Sequence, residues 1–338
     1  MLFHNTYGID LGTSTLKIYS QQNNQLTKEM NMIAVKDKEQ VLAVGNAAYE
    51  MYEKAPDNIE VGSPMTNGRI GDIEKTEFIL QMLLLRASRL IGYHPVLYFA
   101  VPTDMTEIEK RAYHSIAHRG SLKKSKVFLV EKPVADAIAL GIPISRTKGS
   151  MIVNIGAQST EISVIASGRV IISKIISIGG SQFDEAIADN IRKRNNFLIG
   201  NRTAKRLKFA MGDLKAQGRE GRKIVGVDSV SGLPREGVVT SMTVNQAILR
   251  CVASIGDEIR NFLDRTPPQV HNNILNEGIY LSGGSTYLKN IDWYLSSRIG
   301  CSVRLSQHYD MCTIYGLKEL ITHKSLHKWA YTIKKKKK

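Results

Sequence analysis

The chain has 338 residues, 43% of them hydrophobic, which suits two domains of ordinary size with sizeable cores. Its three cysteines, Cys251, Cys301 and Cys312, have no CxxC or metal-ligand spacing, which argues against a disulfide framework and for a reducing cytosol. The net charge of +15 includes five lysines at the C-terminus and suggests an anionic partner: nucleic acid, acidic lipid or an acidic protein, unless the tail serves only solubility. The first ten residues carry neither a basic n-region nor an apolar h-region, so no secretory signal is expected. The most apolar run, "FILQMLLL", is too short to span a bilayer.

In chain order, "YGIDLGTSTLKIYS" (7–20) reads strand, Gly turn, strand. After the turn, Leu16 and Ile18 face one way, and Thr15, Lys17 and Tyr19 the other. A polar turn at 21–25 leads to a third strand near Met32 to Val35. A helix is expected over 73–91, with apolar Ile73, Phe78, Ile79, Met82 and Leu83. "PVLYFAVP" (95–102) is a buried strand, followed by a helix capped by Thr103 or Asp104 and stopped by Gly120. Another buried strand, "KVFLVEKP" (126–133), runs into the helix "VADAIALG". The second half restarts the order. "MIVNIGAQSTEISVI" (151–165) repeats strand, Gly turn, strand. A hairpin turn at 166–169, a third strand at 170–177 and a helix from Ser181 follow. After a more polar insert from about Gly212 to Thr240 comes a long helix ended by Pro267 and Pro268. "GIYLSGGSTYLKNID" then reads strand, Gly turn, helix. Such a duplication suggests two similar α/β lobes facing each other across a cleft.

The Gly turns suit phosphate. Glycine lets backbone approach a ligand closely, and consecutive N–H groups can point at phosphate oxygens. Gly12 is followed by the hydroxyls of Thr13, Ser14 and Thr15, and Asp10 just before it can hold Mg²⁺ or its waters. The Gly283-Gly284 turn opens a helix whose N-terminus would also favour an anion. Alone, each turn is equally a plain hairpin; the ordered set is more specific.

On these residues the chain resembles the actin/Hsp70/sugar-kinase ATPase superfamily and, within it, the MreB family of bacterial actins. "GIDLGTSTLKIY" resembles the first phosphate loop and "GSMIVNIGAQSTEISVIASGRVI" the second. "VPTDMTEIEKRA" and "SKVFLVEKPVADAIALGIP" resemble the segment joining the lobes. "GIYLSGGSTYLKNID" resembles the adenosine loop, and "FLIGNRTAKRLKFAMGD", "VSGLPRE" and "LDRTPPQV" are similar to stretches typical of the family. The resemblance implies two actin-like (ribonuclease H-like) lobes around a nucleotide cleft, each with a smaller subdomain. Lobe I would take 1–145 plus 312–338, with an insert at about 33–65. Lobe II would take 146–311, with an insert at about 183–243. It also implies ATP and Mg²⁺ as cofactors. The nucleotide residues would be Asp10, Gly12, Thr13, Ser14, Thr15, Gly156, Ala157, Gln158, Lys205, Lys208, Gly283, Gly284, Ser285 and Thr286, with Asp10 reaching the metal through water.

Three departures bear on the chemistry that the resemblance implies. The second loop normally reads Asp-Ile-Gly-Gly-Gly-Thr-Thr-Glu; here Asn154 replaces the carboxylate, and Ala157 and Gln158 replace glycines where φ > 0 is a possible need. Ser159 stands at the position of a Thr that orients the attacking water, and keeps the hydroxyl. The Glu taken to activate water, directly before Pro133, is Lys132, and an ammonium cannot accept that proton. Glu131, one residue earlier, is expected on the opposite face. The family Glu that touches ribose is Lys205. A weakened metal site and weakened or absent ATP hydrolysis are therefore expected.

Leu90, Ile91 and Tyr93 replace a longer apolar membrane-inserting loop of the family; a buried helix end is the competing reading. At the C-terminus, Trp329, Tyr331 and Ile333 precede Lys334, Lys335, Lys336, Lys337 and Lys338, a polybasic segment suited to an anionic leaflet. His114 and His118 stand at i, i+4 without an evident third ligand, so a solvated helix face is expected. No helix-turn-helix, zinc finger or RNP-type motif argues for nucleic acid. The role implied is a filament of the chain with itself, in the cytoplasm at the inner face of the membrane, organising cell-wall elongation proteins and cell shape. The alternatives are a fully active ATPase that drives a dynamic filament or segregates a plasmid or other cargo, and an Hsp70-like chaperone. The latter has no room for a substrate domain after residue 320.

Overall fold

The computed structural model describes residues 5–88, 91, 92, 94–215, 218 and 220–332. It divides into two compact units. One comprises Met1–Thr147, Ile165–Ser173 and Met311–Lys338; the other comprises Lys148–Val164 and Lys174–Asp310.

The first unit is built on a five-stranded sheet in the spatial order Lys126–Glu131, Val96–Val101, Thr6–Leu11, Thr15–Ser20, Gln25–Met30. Thr6–Leu11 pairs antiparallel with Thr15–Ser20 and parallel with Val96–Val101. Both central strands are buried along nearly their whole length, because helices cover the sheet on both faces. Tyr7, Ile9, Leu11, Leu16 and Ile18 pack with Ile79, Leu80, Leu83 and Leu84 of the helix Ile73–Ser88, and with Tyr113 and Ile116 of Glu107–Ile116. Each large aliphatic or aromatic side chain buried in this way contributes about 1.5–3 kcal/mol. A separate three-stranded sheet, Gln40–Val44, Ile33–Lys36 and Ile59–Gly62, lies in the insert.

Three expectations for this unit need correction. The third strand of the first sheet is Gln25–Met30, and Ile33–Lys36 belongs to the insert's sheet instead. The edge strand QLTKEM carries little apolar pattern because much of it faces solvent. The helix Glu107–Ile116 is capped by Thr106, which forms a reciprocal capping box with Glu109. Thr103 and Asp104 are engaged elsewhere: the Thr103 hydroxyl donates to Ser173 Oγ at 2.8 Å, and Asp104 pairs with Arg69. The helix ends at Ile116, and Gly120 opens a 3₁₀ turn of its own.

The second five-stranded sheet has the order Arg169–Ile176, Thr160–Ala166, Ser150–Ile155, Ile279–Ser282, Val303–Leu305, with residues 165–173 of its first two strands grouped with the first unit and the rest with the second. With strands counted along the chain within each sheet, this one reads third, second, first, fourth, fifth, and the first sheet reads the same from its opposite edge, which is the duplication expected from the sequence. The helices Gly180–Asn195 and Ser241–Leu263 follow the third strand. The polar insert between them folds as the hairpin Gly221–Asp228/Pro234–Thr240, joined by Phe197–Leu198 into a small sheet. Among the described residues, no helix is long and apolar enough to cross a membrane.

Candidate nucleotide-binding residues

In the first unit, the loop at 12–14 is a tight hairpin. The Gly12 N–H donates to the carbonyls of Asp10 and Thr15, at 3.2 and 3.1 Å. A Cβ on Gly12 would stand 2.6 Å from the Thr15 carbonyl oxygen, so only glycine fits. The loop is braced from outside. Asn31 donates from its side chain to the Gly12 carbonyl and from its backbone to the Ser14 carbonyl. Ser63 Oγ donates to the Thr13 carbonyl at 2.8 Å, and the Gly68 N–H donates to Thr13 Oγ1 at 2.9 Å. Thr13, Ser14 and Thr15 remain partly exposed.

Asp10 sits at the end of its strand, 4% exposed. The hairpin register places Lys17 directly opposite it, and Lys17 Nζ lies 2.9 Å from Asp10 Oδ2. Lys132, the first residue of the helix Lys132–Ala139, brings its Nζ to 3.4 Å from the other oxygen, Oδ1. That second approach is a charge contact and not a formed hydrogen bond, since Oδ1 has no hydrogen-bond partner. Burial would raise the Asp10 pKa, but the two ammonium groups outweigh it and hold the carboxyl at about 2. The Tyr113 phenol is fully enclosed nearby, and burial pushes it up to about 12. Burial raises the Glu131 pKa, with the Lys110 charge acting against it. Glu131 ends the strand and Lys132 begins the helix, so the strand alternation expected for this pair does not apply to Lys132.

Mg²⁺ does not fit beside Asp10 as this chain is built. The ion needs near-octahedral oxygen ligands, whereas both Asp10 oxygens already face ammonium groups. A dication about 5 Å from either ammonium would be repelled by roughly 7 kcal/mol at an effective dielectric near 20. Among the described residues, no group of three or more His, Cys, Asp or Glu could hold a metal.

The second unit builds its loop differently. After Asn154 and Ile155, the turn Gly156–Ser159 closes with the Gly156 N–H donating to the Ser159 carbonyl at 2.9 Å. Neither Ala157 nor Gln158 has a positive φ, so the feared backbone strain does not arise. The helix Gly180–Asn195 starts against this turn. Its first N–H groups, of Gly180 and Ser181, donate to the carbonyls of Gly156 and Ala157. Lys208 is buried and braces the same place: Nζ donates to the Gly180 carbonyl at 2.8 Å and pairs with Asp184 at 2.7 Å. Burial lowers the Lys208 pKa and raises that of Asp184. Lys205, one helical turn earlier, is half-buried and also acts on Asp184.

The third turn packs on the second. Gly283 has φ +96°, and a Cβ there would stand 2.4 Å from the Ile155 carbonyl oxygen. Ser285 Oγ donates to the Gly156 carbonyl at 2.9 Å, and Thr286 Oγ1 to the Gly283 carbonyl at 2.7 Å. Gly284 begins a 3₁₀ turn, Gly284–Tyr287, and the α-helix starts only at Ile291. The expected helix N-terminus at Gly283-Gly284 is therefore displaced by several residues. In this unit Lys208, Ser285 and Thr286 hold the turns in shape. Lys17 and Asp184 were not foreseen as site residues.

Of the residues expected to face a membrane, Leu90, Tyr93 and Lys334 to Lys338 lie outside the described residues, as does Ile333. Ile91 is 5% exposed within the core of the first unit, which removes it from a lipid-facing set. Trp329 is half-buried; its ring reaches the Gly168 turn, and Lys328 Nζ stands over it at 5.1 Å. Tyr331 makes an antiparallel bridge to Leu129, its N–H and carbonyl bonded at 2.9 and 2.8 Å. Tyr331 is fastened there because the edge strand Lys126–Glu131 offers unpaired backbone groups. The His114 and His118 rings stack at 3.7 Å, His118 lying just beyond the helix that ends at Ile116.

Comparison with known proteins adds the family context. The pattern that defines the family described as MreB/Mbl protein matches residues 4–328. Cell shape-determining protein MreB of Escherichia coli strain K12 is 32% identical over 324 residues, 93% of this chain and 92% of that protein. Cell shape-determining protein Mbl of Bacillus subtilis strain 168 is 32% identical over 318 residues, 93% of this chain and 95% of its own length. Among solved structures, MreB5 of Spiroplasma citri bound to ADP superposes with a TM-score of 0.89 at 28% identity, covering 97% of this chain and 98% of that one. The same protein bound to AMPPNP gives the same score. The fold is actin-like.

Proposed function

The chain belongs to the MreB/Mbl family, and from that premise we propose that it is a self-assembling, cell-shape filament protein that binds ATP and ADP but hydrolyses ATP slowly or not at all. It works at the anionic inner face of the cell membrane, together with cell-wall elongation proteins. Nucleotide binding is supported by the ADP- and AMPPNP-bound relatives and by the braced loops at 12–15, 156–159 and 283–286.

The observation that carries the slow-hydrolysis reading is the Lys132 ammonium against Asp10. A positioned general base contributes about 10²–10⁴ in rate, and an ammonium held beside a carboxylate accepts no proton from water. Asn154 likewise brings no charge that a metal could use. The test is phosphate release by filaments pelleted from purified protein. Release should be slow or undetectable, and Lys132→Glu with Asn154→Asp should raise it more than either change alone. Wild-type release as fast as that of an ordinary MreB, with no gain in the double variant, would leave the alternative of a fully active ATPase driving a dynamic filament. A chain that stays in the supernatant with any nucleotide and with anionic lipid is not a filament protein.

A further inference from the structure

Both positions at which the family's Glu has become Lys adjoin a buried carboxylate that already has a lysine partner. Lys132 joins the Asp10–Lys17 pair in the first unit at 3.4 Å, and in the second the Lys205 charge acts on Asp184 of the Asp184–Lys208 pair. Each trio holds one carboxylate and two ammonium groups, a net charge of +1. A Glu at position 132 would make the first trio −1. The change from carboxylate to ammonium thus adds two units of positive charge at one place, the charge that a divalent cation would bring. Lys132 is pinned at the start of a helix by Pro133, and its side chain is only 15% exposed, so the charge is fixed in position.

We propose that this chain takes its nucleoside di- or triphosphate as the metal-free anion, with Lys132, supported by Lys17, supplying the positive charge that a divalent cation would otherwise carry. The inference rests on the nucleotide-binding reading above and specifies the form in which the ligand is held. An ammonium binds phosphate as a point charge. Asp10 then serves to orient two lysines and not to hold a metal. Lys17 becomes a positioning residue: its ammonium takes Oδ2 and leaves Oδ1 facing Lys132.

The experiment is titration of ADP into the full chain, once with magnesium present and once with excess EDTA, followed by calorimetry. The Kd in EDTA should equal or be tighter than that in magnesium, to within about threefold. A Kd weaker in EDTA by more than this overturns the proposal. No binding in either buffer overturns the nucleotide reading and this inference with it. Lys132→Glu should make ADP binding depend on magnesium by about tenfold or more. Lys132→Gln, which keeps the size but not the charge, should weaken binding in EDTA. Thermal melts establish that each variant is folded. If both folded variants bind ADP in EDTA as the wild type does, Lys132 does not carry the charge and the proposal fails.

Discussion

Replacing Lys17 by Met keeps the length of the side chain and removes the closer of the two cations on Asp10. The carboxylate is 4% exposed, so water cannot take over the lost partner. Breaking a buried ion pair costs about 3–5 kcal/mol when the surviving charge is left uncompensated. Here Lys132 at 3.4 Å compensates in part, which places Lys17→Met at the lower end, about 2–3 kcal/mol. Linkage gives a similar figure. A carboxyl depressed from 3.8 to about 2 contributes roughly 2 kcal/mol. Because the folded pKa lies below the unfolded one, that stability is present above pH 3.8 and is lost as pH falls through about 2. Urea unfolding at neutral pH should show the loss, and a melt should fall by about 4–12 °C for units of this size. Combining Lys17→Met with Asp10→Asn should recover part of it, since the buried carboxylate is then gone and only the Lys132 ammonium, itself 15% exposed, remains. A loss below about 0.5 kcal/mol in Lys17→Met would refute the claim that this pair is buried and mutually dependent.

Two further outcomes follow from the turns and the tail. Gly283→Ala should destabilise the second unit by about 1–3 kcal/mol in urea and weaken ADP binding, because φ +96° and the Ile155 carbonyl leave no room for a Cβ; an unchanged midpoint would show that the turn relaxes. Deleting Lys334 to Lys338 should weaken pelleting with anionic liposomes and flatten its salt dependence, at about 1 kcal/mol per lysine near the surface; equal binding at low and high salt would reduce the tail to a solubility feature.

Much of the fold was legible because the sheets announce themselves. Apolar runs such as "VLYFAV", bounded by Pro95 and Pro102, marked the central strands, and the Gly turns after Leu11 and Ile155 marked their repetition. The edge strand Gln25–Met30 escaped because half-exposed backbone tolerates polar residues, leaving no period to read. Lys17 escaped for the opposite reason. Alternation assigned it to a face, but both faces of that strand are buried, so polarity carried no message about solvent. What gives Lys17 its role is the register that sets residue 10 opposite residue 17, and register depends on turn geometry. The same limit applies to the third turn. Gly-Gly signalled a tight bend, yet the 3₁₀ turn before the helix at Ile291 depends on packing against Ile155 and Gly156. The capping residue went astray because three hydroxyl or carboxyl candidates crowd positions 103–106, and only tertiary partners separate them.

The bridge between Tyr331 and Leu129 makes the C-terminal segment a mechanical element. Leu129 lies three residues before Lys132, on the strand that runs straight into it. A load applied to the chain beyond Thr332 meets two backbone hydrogen bonds, at 2.8 and 2.9 Å, before it reaches any other part of the sheet. Those bonds act as the shackle of a tether. The Tyr331 side chain adds packing against the core of the first unit, so the hold is made by backbone and side chain together, next to the lysine that faces Asp10. Anchorage and charge placement therefore share one short length of backbone.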